Sequence, residues 1–210
     1  MHSEIPFSWR AGSFTHANRR VWLLGGSFNP AHDGHRYISI EALKRLGLDE
    51  VWWLVSPQNP LKSESGMAPF ARRLEYARQI VRHPRIRVSA IEAEMGTRYT
   101  ADTLESLVRR YPAAKFVWLM GADNLIEISA WRGWSKIFHT VSIAVFARDS
   151  YDSRALSARA ASRFRSAQLP ASAAKRLADA APPAWVFLRI RPHPATATDL
   201  RQAGAWPVET

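Results

Sequence analysis

Six apolar runs recur along the chain: RVWLLG from Arg20, EVWWLVS from Glu50, RIRVSAIE from Arg85, KFVWLMG from Lys115, VSIAVFAR from Val141 and WVFLRI from Trp185. Their length and their β-branched and aromatic content predict strands. Between the first two runs, Ile38, Ala42 and Leu46 fall four apart. Between the second and third, Phe70, Leu74, Ala77 and Val81 keep helical spacing. Both stretches predict amphipathic helices. TADTLESLVRRYP opens on a Thr or Asp cap candidate and stops before Pro112, which predicts a helix leading into the fourth strand. Strand and helix therefore alternate, as in a three-layer α/β protein with a mainly parallel sheet. Ligands of such sheets bind beyond the carboxyl ends of the strands, where GGSFNPAHDGHRY (from Gly25), SPQNPLK and GADN all fall.

The remaining segments are less regular. Arg154 to Pro183 is rich in alanine, broken by Pro170 and ended by a proline pair, which predicts two helices with a turn, partial disorder being the alternative. Residues 1–18 read as a mobile tail and residues 19–210 as one domain. No apolar stretch is long enough to span a bilayer, and the first residues lack the continuous apolar segment of a signal peptide, so a cytoplasmic, membrane-free protein is expected. Absence of cysteine excludes disulfides, thiolate catalysis and cysteine-ligated zinc. A net charge of +11 raises nucleic-acid binding. The arginines are nevertheless spread out and not interleaved with aromatics, so the charge fits a basic surface that favours small polyanions such as nucleotides.

The chemistry concentrates after the first strand. A strand ending in Gly25-Gly26 can turn sharply, and its backbone N–H groups can approach a phosphate that a Cβ would exclude; Ser27 adds a hydroxyl. Neither GxGxxG nor GxxxxGK[ST] is present, so the pair alone reads first as a tight turn. His32 and His35 flank Asp33-Gly34 at the expected start of a helix, where both imidazoles can face one anion, or where either can simply cap the helix. A zinc site lacks HExxH and a third ligand at regular spacing, and no metal site is expected.

GGSFNPAHDGH resembles the HxGH signature of the nucleotidyltransferase superfamily. VSPQNPLK, RYTADT, MGADNLIEISAWRGW and ATATDLR resemble, in order and spacing, segments of bacterial nicotinate-nucleotide adenylyltransferases, over most of the chain from about Arg20 to Arg201. The resemblance implies a Rossmann-like nucleotidyltransferase fold and transfer of the adenylyl group of ATP to nicotinate mononucleotide in NAD biosynthesis, with Mg2+ on the triphosphate. It assigns Gly25, Gly26, Ser27, Phe28, His32, His35, Gly121, Asp123, Thr198 and Arg201 to ATP, with the two histidines catalytic. It assigns Lys62, Tyr99, Thr100 and Trp131 to the mononucleotide. Asn29 stands where the family has aspartate, Ser27 where it has threonine, and Ala197 where a serine is usual. Transfer to another phosphorylated acceptor, such as nicotinamide mononucleotide or phosphopantetheine, stays open, as does a nucleotide- or RNA-binding module without turnover. A homo-oligomer is equally compatible with the sequence.

Overall fold

The structure, a computed structural model, describes residues 19–57, 66–147, 152–204 and 206. All six predicted strands form, as β1 (Arg20–Gly26), β2 (Glu50–Val55), β3 (Ile86–Ser89), β4 (Lys115–Gly121), β5 (Ser142–Ala147) and β7 (Trp185–Arg189). A two-residue edge strand, β6 (Gln168–Leu169), joins them. The order is β3-β2-β1-β4-β5-β7-β6, and every neighbouring pair is parallel. The apolar runs are uninterrupted because helices cover both faces; β2 is buried at all six positions.

Side chains alternate across the sheet. Val21, Leu23, Trp52 and Trp118 face one core with helices α4 (Thr100–Arg110) and α6 (Trp134–Thr140). Trp22, Leu24, Trp53 and Leu119 face the other with α1 (Asp33–Arg45) and α2 (Phe70–Ile80). Buried tryptophans bring a polar N–H that needs a partner. Trp53 Nε1 donates to Ser39 Oγ at 2.8 Å, which explains a buried serine on the packed face of α1. Trp185 Nε1 donates to the Phe164 carbonyl at 2.7 Å.

Short helices complete the layers: α3 (Ile91–Glu94) after β3, α5 (Ala122–Glu127) after β4, and α9 (Ala197–Gln202) near the C-terminus. No helix among the described residues is long and apolar enough to cross a membrane. At the N-terminal edge of the sheet, Asp179 binds Arg20 at 2.7 Å and Lys115 at 2.6 Å, pinning the entry points of β1 and β4.

Two expectations change. The alanine-rich segment is not two helices: it forms α7 (Asp152–Ser157), α8 (Arg159–Arg163), a 3-10 turn, β6, and a second 3-10 stretch over Ala171–Asp179. Pairing of Gln168 and Leu169 with Trp185 and Val186 wins over alanine's helix propensity, and Pro170 then redirects the chain. The cap candidates of TADT lie inside α4, whose N-cap is Tyr99 with no side-chain bond to the first turn.

Candidate active site

The chain leaves the sheet from β1 toward β2 on one side, while β4 and β5 continue on the other, so a crevice opens above β1 and β4. Gly25 and Gly26 end β1 there. A Cβ on Gly25 would collide with the Trp118 indole from β4, so the edge of that ring comes up against the backbone. Ser56, at the end of β2, donates its N–H to the Gly26 carbonyl at 2.9 Å. Above these strand ends lies a cavity of about 350 Å3. Gly25, Gly26, Ser27, Ser56 and Trp118 form one end of it. The far wall comes from Arg98, Tyr99 and Thr100, where α4 starts, and from Trp131 and Arg132, after the 3-10 turn Ile128–Ala130. The two parts of that wall are held together by Gly133, whose left-handed backbone (φ +66°) brings it against Ala101 of α4. The Arg132 guanidinium lies 4.5 Å above the Tyr99 ring.

Beyond Ser27 the loop is set from below. Phe28 has φ +47°, an uncommon backbone for a residue with a side chain, and its buried ring stacks on Trp53 at 5.1 Å. The His35 ring packs against the same pair, 4.8 Å from Phe28 and 5.8 Å from Trp53 between centroids. Any contact of Phe28 with a nucleotide is therefore through its backbone. His32 is the N-cap of α1: its Nδ1 accepts from the Gly34 N–H at 3.1 Å, and His35 Nδ1 accepts from the His32 N–H at 3.2 Å. This is a capping box made from two histidines in place of Ser and Glu. A nitrogen that accepts cannot carry the proton, so each neutral ring holds its proton on Nε2. The rings sit 3.9 Å apart and give the helix entrance two imidazole donors.

Asn29 is buried at the centre of this region. Its Nδ2 donates to the Gly66 carbonyl at 2.9 Å, and its Oδ1 accepts from the Ala68 N–H at 3.1 Å and from Trp206 Nε1 at 2.8 Å. These long-range bonds need one donor and one acceptor on the same side chain. Asparagine supplies both; a carboxylate would turn an oxygen toward the Gly66 carbonyl. Arg201 Nη1 donates to the Asn29 carbonyl at 2.6 Å and Nη2 to Thr198 Oγ1 at 3.2 Å, so α9 is tied to the loop.

The chain matches the cytidylyltransferase-like family model over residues 23–203. It is 52% identical over 186 residues to a protein of Cereibacter sphaeroides, covering 89% of this chain and 98% of that one. It is 51% identical over 187 residues to one of Parvibaculum lavamentivorans, covering 89% and 93%. Both are described as probable nicotinate-nucleotide adenylyltransferases. The chain belongs to the nicotinate-nucleotide adenylyltransferase family. Its fold is also that of the Plasmodium falciparum nicotinic acid mononucleotide adenylyltransferase solved in complex with NaAD, at a TM-score of 0.65 and 17% identity, covering 88% of this chain and 83% of that one.

The family motifs converge unevenly. Gly25, Gly26, Ser27, Tyr99, Thr100 and Trp131 line the one cavity. His32 and His35 are not among its lining residues but pack beside Phe28, the residue after Ser27, and Thr198 and Arg201 reach the same loop through Asn29. Gly121 ends β4 level with the end of β1 and is the N-cap of α5, and the Asp123 carboxylate folds back over it. Neither belongs to the lining of the cavity. Trp131 is half-buried against the core and also lines the cavity. Lys62 lies outside the described residues.

Sequence reading missed Glu92, Arg98 and Arg132 in the lining, and Arg73 beneath it. Glu92 was signalled only by being an acid within RIRVSAIE, just past a strand's carboxyl end. Its side chain is buried on α3 and hydrogen-bonds Ser56; burial pushes its carboxyl up from 4.5 to about 7, the Ser56 bond opposing this in part. Between pH 4.5 and 7 the unfolded chain releases a proton that the fold retains, so this group lowers stability as pH rises, by roughly 3 kcal/mol once pH exceeds 7. Glutamine keeps the shape and cannot ionise. Urea unfolding of Glu92→Gln should show a gain over the parent that widens from pH 4.5 to 7 and is level above it; a gain independent of pH would contradict the buried acid.

Proposed function

We infer that the protein transfers the adenylyl group of ATP to nicotinate mononucleotide, releasing pyrophosphate and forming deamido-NAD. The observation that carries this reading is the single cavity joining the glycine loop after β1 to Tyr99, Thr100 and Trp131, beside the paired histidines, in a chain half identical to relatives so described. The two ends suit two substrates. Close-approaching backbone and imidazole donors suit a triphosphate, and aromatic faces beside a helix start suit a planar pyridinium bearing a carboxylate.

The 5'-phosphate of the mononucleotide attacks the α-phosphorus of ATP in line, the new P–O bond forming as the bond to the leaving pyrophosphate breaks. The nucleophile is already an anion, so no general base and no covalent enzyme intermediate enter the reaction. The protein aligns two negatively charged reactants and balances the charge that builds on the transferring phosphoryl group. His32 and His35 donate from Nε2, and Arg201 adds a guanidinium at the same loop. Mg2+ on the triphosphate would be part of the substrate, held mainly by phosphate oxygens and water, and would supply further charge neutralisation there. The resemblance gives Lys62 to a phosphate.

Pyrophosphate release from the purified protein, measured with ATP and a panel of nicotinate mononucleotide, nicotinamide mononucleotide and phosphopantetheine, tests this. Fastest turnover with nicotinate mononucleotide is expected. Preference for phosphopantetheine would move the protein to another acceptor, and no turnover with any of them would make it a binding module.

A further inference from the structure

Among the described residues Arg132 forms no ion pair with a carboxylate, yet its guanidinium is held over an aromatic ring at the wall of the cavity. The short turn Trp131-Arg132-Gly133 fixes its place: Trp131 ends the 3-10 turn, and the left-handed Gly133 packs the turn on the first turn of α4. Arg132 therefore shares the cavity wall with Tyr99, Thr100 and Trp131, its guanidinium over the Tyr99 ring.

Backbone N–H groups at the start of α4 can bind the oxygen of a carboxylate or of a carboxamide alike, so they distinguish the acid from the amide form of a pyridine nucleotide poorly. A guanidinium distinguishes them well. It gives a carboxylate two parallel charge-assisted bonds, whereas a carboxamide offers one acceptor and sets its own N–H donors against a cation. Contact with the face of Tyr99 takes up one side of the guanidinium and leaves its N–H donors, which lie around the rim, able to meet a carboxylate in the cavity. From this placement we propose that Arg132 is the residue by which the site selects a pyridine carboxylate over the carboxamide; the inference rests on the proposed reaction.

The experiment compares kcat/KM for nicotinate and nicotinamide mononucleotides in the parent protein, Arg132→Gln and Arg132→Lys. The glutamine variant should lose about tenfold or more of kcat/KM for the acid, chiefly through KM, with the amide changed far less. Lysine should restore part of the preference, because it keeps the charge without the planar fork. The parent's preference should also weaken with added salt, since the cation is partly in water. An unchanged acid-to-amide ratio in both variants overturns the inference. If the parent turns over neither mononucleotide, the proposed reaction itself fails, which is a separate and recognisable result. Should Arg132→Gln not fold, the lysine variant and the salt dependence still decide the matter.

Discussion

His35→Ala should turn over ATP and saturating nicotinate mononucleotide at least about a hundred times more slowly than the parent, the size expected for loss of one transition-state donor, roughly 3 kcal/mol. His35 also accepts the His32 N–H through Nδ1, so alanine removes part of a helix cap, worth about 1 kcal/mol of stability. Two further variants separate the effects. Asparagine places an oxygen near the Nδ1 position and keeps the cap without the donor; glutamine reaches the Nε2 position and keeps a donor without the cap. Turnover should fall in the order parent, Gln, Asn, while the asparagine variant melts closer to the parent. Near-parental kcat for His35→Asn would mean that the imidazole serves only the helix.

Arg73→Met should be the most destabilising single change near the site. Arg73 is 1% exposed, and its guanidinium binds carbonyls of four residues: Ala68 at 2.9 Å, Ser27 at 2.6 Å, Ser56 at 2.8 Å and Pro57 at 2.7 Å. Burial pushes its pKa down, and the carbonyls offset that cost. Methionine fills the stem's volume and leaves these acceptors without a donor. A loss of about 3 kcal/mol or more is expected, a fall of roughly 6–12 °C in Tm for a chain of this size. Because Ser27 and Ser56 both line the cavity, the KM for ATP should rise as well. A Tm within a degree or two of the parent would show that the loops hold without Arg73.

Where burial was continuous, the sequence spoke clearly. EVWWLVS and KFVWLMG could only be strands covered on both faces, and they fixed the parallel sheet and its ligand edge. Alanine carries helix propensity in any setting, so nothing in Arg154 to Pro183 announced that Gln168 and Leu169 would add to the sheet beside β7. Arg73 was illegible for a different reason. It sits within a helical pattern as one arginine among several, and its burial depends on carbonyls far away in the chain. The histidines show that two readings need not compete, since the helix cap uses the Nδ1 of each ring and not its Nε2. The departure at Asn29 had no reason visible in its neighbours; its reasons are Gly66, Ala68 and Trp206.

Arg73 also bears on polarity within the loop itself. Across a trans peptide bond the C=O and the next N–H point in opposite directions. By drawing the Ser27 carbonyl toward itself, the guanidinium turns the N–H of Phe28 away from it, at the step between the glycine pair and the histidine helix. A cation that touches no substrate thereby orients a peptide dipole, withdrawing its negative end and presenting its positive one. The loop after β1 is thus made hospitable to anions from behind, by a residue whose own charge is hidden.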